Sequence, residues 1–268
     1  MTAAAVGRER FDMGRVVQRT FGSIGRNAVT FLVLALALYG APGFLLQVVS
    51  AKLNPAFGGT FQAADPGAAL GFAGLLLLTG IVSWILTALL QAAVVHGVVA
   101  DADGRKASLD DCLGTGLRFV LPVAGVGLVT GLGVFFGFLF FIVPGLMLWM
   151  AWSVAVPAAV VERTGVFGAI ARSGELTRGH RWSIFGLAFV AFVVLMVVSA
   201  VFAAITFGTL AFGGDITAQM TSVPRLLANT ASGTIMSIVT AAGIASVYIE
   251  LRTIKEGVGA TALASVFD

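Results

Sequence analysis

Residues 119–161 read FVLPVAGVGLVTGLGVFFGFLFFIVPGLMLWMAWSVAVPAAVV, 43 positions without a single Asp, Glu, Lys or Arg. An α-helix rises about 1.5 Å per residue, so roughly 20 residues cross the ~30 Å hydrocarbon core of a bilayer. The run is too long for one crossing and right for two, with Pro144-Gly145 near its middle, where a turn between helices would need it. Working outward, the other charge-free runs are 27–51, 66–100, 182–214 and 226–249. The first and last hold one helix each. The runs 66–100 and 182–214 are long for one helix and short for two, so each is read as one tilted or over-long span. The expectation is an all-α polytopic membrane protein with six transmembrane helices near 28–49, 69–97, 119–141, 145–161, 184–208 and 227–249.

Composition agrees. Of 268 residues, 58% are hydrophobic, and the 34 Gly raise the apolar share to about 71%, against about 45–50% in soluble domains. Charged residues make up 11%, where about 25% is usual. A soluble globular domain, a disordered chain and a disulfide-built secreted domain are excluded.

Basic residues fix the expected orientation, since they are retained on the cytoplasmic side. With the N-terminus inside, 14 of the 16 Lys and Arg fall in cytoplasmic segments, and only Lys52 and Arg225 fall outside. Both termini are therefore expected in the cytoplasm. The chain divides into a cytoplasmic amphipathic segment at 1–27, a six-helix membrane domain at 28–249 and a cytoplasmic tail at 250–268. The long basic preamble makes the first span an uncleaved signal anchor rather than a cleaved leader. The single Cys112 lies in a cytoplasmic loop, where no disulfide is expected.

Amphipathic surface helices are expected ahead of the outward spans. Phe11, Val16, Val17, Phe21 and Ile24 share one helical side against Arg15, Arg19 and Arg26. Ser108 and Asp111 look like a capping box opening a short helix at 109–117. Residues 165–177 set Val166, Phe167, Ile170 and Leu176 against Arg172, Glu175 and Arg178, the pattern of a helix lying in the headgroup layer. Three units of surface helix, outward span and return span make a weak pseudo-repeat, unevenly spaced at Arg26, Arg118 and Arg181.

No ionisable Asp, Glu, Lys or Arg lies within the core of any span, which disfavours a proton-driven carrier. Gly127, Gly131, Gly133 and Gly137 form two GxxxG patterns; internal helix packing is preferred to a dimer face. His96 has no Cys or carboxylate at ligand spacing, so no metal is expected. Ala231-Ser232-Gly233 lacks the surroundings of a serine nucleophile and reads as small-residue packing. Asp101, Asp103, Asp110 and Asp111 are the densest acidic group and could hold a divalent ion for lipid phosphotransfer. The CDP-alcohol phosphotransferase pattern fails at Ala100 and Ser108, so a solvated loop and helix cap are preferred. Arg163, Arg172, Arg178, His180, Arg181 and Trp182 form the candidate contact with anionic phospholipid headgroups, against a reading as plain topological anchors. No catalytic residue, cofactor or nucleic-acid partner is expected.

The stretch Ile142-Val143-Pro144-Gly145-Leu146, then Pro157 and Glu162, then Ser173 to Trp182, together with Tyr248-Ile249-Glu250-Leu251-Arg252, resembles the membrane-domain family of bacterial glycerophosphoryl diester phosphodiesterases and its inner-membrane relatives. The resemblance implies a six-span protein of the bacterial inner membrane. It implies no phosphodiesterase activity here, because catalysis in that family belongs to a separate soluble barrel and only 19 residues follow the last expected span. The resulting expectation is a non-enzymatic protein supporting membrane or envelope organisation through lipid contacts, a second copy or a membrane-protein partner. The alternative is a transporter or flippase of an amphiphile along a path holding Ser83, Thr87, Gln91 and Ser199.

Overall fold

The computed structural model describes residues 11–56, 66–208 and 223–257, and every regular element among them is helical. In chain order these are α1 (Met13–Arg26), α2 (Ala28–Ala35), a π-helical turn (Leu36–Gly40) and α3 (Ala41–Ala56). There follow α4 (Pro66–Ala102), α5 (Leu109–Phe140), α6 (Ile142–Ala151), α7 (Ala155–Glu162), α8 (Gly165–Thr177), α9 (Arg181–Gly208) and α10 (Val223–Glu256). Arg8, Arg10, the segments 57–65 and 209–222 and the tail after 257 lie outside the described residues, as do the side chains of Lys52 and Ser199.

Among the described residues, five helical stretches are long and apolar enough to cross a membrane: Ala28–Val49, Ala73–Ala102, Leu109–Phe140, Ile142–Glu162 and Arg225–Glu256. A sixth is added if α8 and the start of α9, bent by 97° at their junction, count as one span.

The helical hairpin of 119–161 closes earlier than its proline suggests. The break is the one extended residue Phe141, at φ −156° and ψ 141°. Pro144 is the third residue of α6, in the first turn, where a helix has no internal partner for the missing N–H. Pro157 occupies the same place in α7, which explains the second break after Ala151. The two arms cross closely at glycine: a methyl group on Gly137 would lie 2.8 Å from the Gly145 Cα, and one on Gly133 would lie 2.4 Å from the Trp152 ring. Gly127 faces Trp84 of α4, while Gly131 faces open space.

The short surface helix expected at 109–117 does not exist by itself. Ser108 does cap the helix, its Oγ accepting from the Asp111 N–H at 3.1 Å, but the helix then runs unbroken to Phe140. Leaving hydrocarbon does not end an α-helix whose backbone bonds continue, and α4 and α10 likewise overrun their apolar cores.

Packing is uneven along the bundle. The buried core joins Phe31, Leu34 and Ala35 of α2 to 88–98 of α4, Phe119 and Val123 of α5, and Ile238 to Ala245 of α10. A second cluster joins Val16 to α7, α8 and the end of α10. Both are rich in Ala, which lets helices approach closely: Phe31 lies so near Gly97 that a methyl there would meet its ring at 2.5 Å. The core belongs to the half of the bundle at which α2 begins and α4 and α10 end. In the other half, Leu76 to Ile85, Phe135 to Val143 and Phe189 to Val197 present large apolar side chains outward.

Candidate functional site

The tight half ends in a layer of ion pairs. Glu250 of α10 keeps only 2% of its side chain exposed and is gripped by α1. Arg15 reaches Oε1 at 2.8 Å through Nη2, Arg19 reaches Oε2 at 3.5 Å, and the Asp12 N–H donates to Oε1 at 3.4 Å. Asp12 also caps α1, accepting from the Gly14 and Arg15 N–H groups. A buried carboxylate persists only when paired in this way. The docking stripe of α1 is Val16, Thr20 and Ser23, whereas Val17 and Phe21, the latter 59% exposed, face outward. The apolar side read from the sequence is thus split, with Val16 turned inward.

Two further ties complete the layer. Arg26 forms a two-pronged pair with Asp101, at 2.9 and 2.6 Å, which holds its guanidinium above its ordinary value. Asn27 donates to Asp101 and accepts from the Ala107 N–H, binding the α1–α2 corner to the α4–α5 loop. Glu162, at the end of α7, accepts from Arg172 Nε at 2.8 Å and from the Tyr248 hydroxyl at 2.9 Å. Arg172 also pairs with Glu256, which Arg252 holds at 2.7 Å. Of the acidic group in the 101–111 loop, Asp101 serves Arg26, Asp103 pairs with Arg105 at 3.3 Å, and Asp111 accepts from Ser108.

The candidate headgroup residues divide. Arg172 is drawn into the ion-pair layer. Arg163, Arg178 and Trp182 are exposed at the two corners of α8. Those corners turn on left-handed backbone, at Arg163 (φ 54°) with Gly165, and at Gly179 (φ 92°). Phe167 and Trp182, 77% and 76% exposed, stand along the same rim. His180 packs its ring 6.4 Å from that of Phe11. The His180 Nδ1 and Arg181 Nε are buried and find no hydrogen-bond partner among the described residues. Ser173 and Thr177 instead point inward: both hydroxyls donate to the Ala151 carbonyl, at 2.8 and 3.2 Å, and Ser173 Oγ accepts from the Val154 N–H. They repair the backbone groups freed by the α6–α7 break, a structural task within a motif that otherwise faces out.

The open half carries a different feature, a cavity of about 310 Å³ between the first span, α4 and α10. It is lined by Tyr39, Gln47, Ser83, Thr87, Asn229, Thr230 and Ser232, with Leu38, Pro42 and Leu86, and no charged side chain among the described residues borders it. The π-helical turn places Tyr39 there, its ring against Gly233, where a methyl would meet Cε1 at 3.1 Å. Gln47 bridges α3 and α10, donating to Thr230 at 3.1 Å and accepting from Asn229 at 3.0 Å. Ser83 and Thr87 of the expected polar path border this cavity, whereas Gln91 does not. Tyr39, Gln47, Asn229 and Thr230 were not singled out from the sequence; their only signal was a polar residue interrupting an apolar run. Comparison with family models, with curated proteins and with solved structures finds no match to this chain.

Proposed function

We propose that the chain is a non-enzymatic six-span protein of the bacterial inner membrane, with both termini cytoplasmic, that supports membrane organisation by holding anionic headgroups along the α8 rim. The observation that carries this reading is the division of the basic segment. Arg172 is neutralised inside the protein, while Arg163, Arg178 and Trp182 stay at the surface beside Phe167. Basic and aromatic side chains on a surface helix suit the headgroup layer, at roughly 1 kcal/mol per charge. The distribution of Lys and Arg and the resemblance noted for 142–182 and 248–252 support the orientation and the compartment.

Native mass spectrometry on the wild type and on Arg178→Ala/Arg181→Ala tests it. Phosphatidylglycerol should stay bound to the wild type and be lost from the variant; equal retention refutes the headgroup site. A second reading, carriage of an amphiphile, is favoured by the uncharged cavity between three spans. Saturable movement of one substrate in vesicles would establish it.

A further inference from the structure

Hydroxyls buried in spans ordinarily donate to a carbonyl of their own helix, three or four residues back. This chain follows that habit at Thr87, Thr130, Thr234, Ser237 and Ser246, each at 2.7 to 2.8 Å. At the cavity the habit lapses. The hydroxyls of Tyr39, Ser83 and Ser232, one from each wall, make no hydrogen bond among the described residues, and all three residues line the same space. The three side chains are half-buried and their hydroxyls open onto the cavity, where a polar occupant would meet them.

The walls define that occupant. Among the described residues no Asp, Glu, Lys, Arg or His borders the cavity, so a charged group would meet no counter-charge from them. The Tyr39, Ser83 and Ser232 hydroxyls supply both donors and acceptors. A volume of about 310 Å³ sits at the small end of ligand sites. Counted along the helices, Thr87 and Ser83 lie about 21 and 27 Å from Asp101, so the cavity occupies the half of the bilayer opposite the ion-pair layer. Leu45, Ile81, Val82, Ile85, Leu227 and Ile235 are exposed on the outer surfaces of the same three helices, apolar surface along which an acyl chain can lie.

We propose that this cavity binds the uncharged, hydroxyl-bearing headgroup of an amphiphile, with its tail along the outer faces of α4 and α10. Such a site deepens the carrier reading by naming its ligand class, and it holds equally for a protein that binds without transport.

The test uses the full chain in an amine-oxide detergent, whose headgroup has no hydroxyl, and a monoacylglycerol bearing a photoreactive diazirine. Label should map to peptides containing 38–47, 83–87 and 229–233, and unlabelled mono-oleoylglycerol should displace it while phosphatidylglycerol and free glycerol do not. Tyr39→Phe should weaken labelling roughly three- to tenfold, the worth of one neutral hydrogen bond. Ser232→Leu should abolish it by filling the space. Should Ser232→Leu fail to fold, Tyr39→Phe, which keeps the volume, decides alone. Unsaturable label spread over the outer helix faces means that the cavity holds only water, and overturns the site. So does equal competition by glycerol, which makes the ligand a free polyol, or by phosphatidylglycerol, which removes the discrimination against charge. Labelling that survives in Arg178→Ala/Arg181→Ala separates this site from the headgroup rim, and labelling without vesicle transport rejects carriage alone.

Discussion

The chain has two tyrosines, and they stand in opposite halves of the bundle. Tyr248 is 1% exposed, its ring in a packed cluster and its hydroxyl on the Glu162 carboxylate. Tyr39 borders a cavity and its hydroxyl has no partner among the described residues. The same side chain is a fastener in one half and an open valence in the other. Around Tyr248, charges are paired, Glu162 and Glu256 with Arg172 and Arg252. Around Tyr39, the described side chains are uncharged, and the Ser83 and Ser232 hydroxyls also find no partner among the described residues. Ion pairs tie the helices together in one half, and the cavity opens in the other.

The strongest way to break that contrast is to strip the partners from Glu250. Arg15→Ala/Arg19→Ala leaves a carboxylate with 2% of its side chain exposed and no counter-charge, a loss of about 3–5 kcal/mol. Thermal unfolding in nanodiscs should show it, and hydrogen exchange should show α1 released. Tyr248→Phe removes one bond to a charged acceptor and should lower stability by about 1.5–3 kcal/mol in the same assay. The hairpin of α5 and α6 has tight points of its own. Gly137→Ala drives a methyl toward the Gly145 backbone at 2.8 Å and should cost about 1 kcal/mol, whereas Gly131→Ala, facing open space, should be neutral or slightly stabilising. Smallest of all, Tyr39→Phe should shift unfolding by less than about 0.5 kcal/mol, since no bond within the protein is lost. A large effect there would place Tyr39 among the fasteners and erase the contrast.

Most of the spans were legible because hydrocarbon thickness imposes a length on an uncharged run, as with 28–49 against Ala28–Val49. Their ends were less so: Ser108 starts α5 well before the apolar stretch, and α10 carries Glu250 and Arg252 past it. The break after Ala151 is hard to read because Trp152, Ser153 and Val154 include neither Gly nor Pro; only Pro157, three positions on, betrays it. Within the basic segment, charge marked a surface but not its division. Arg172 turns inward because Glu162 and Glu256 meet it, partners 10 and 84 residues away. The cavity was half legible: Ser83 and Thr87 share a face of α4, but Tyr39 and Asn229 join them only through the packing of three helices.

The grip of α1 on Glu250 spans 235 residues of sequence. A ribosome adding about 5–20 residues per second makes Arg15 roughly 10–50 s before its partner exists. Through that interval α1 has the Arg26–Asp101 pair, closed 75 residues on, and its exposed Val17 and Phe21, the side suited to a lipid surface. Closing the grip must wait until α10 has been made, so the ion pair is a late clasp joining the first described helix to the last.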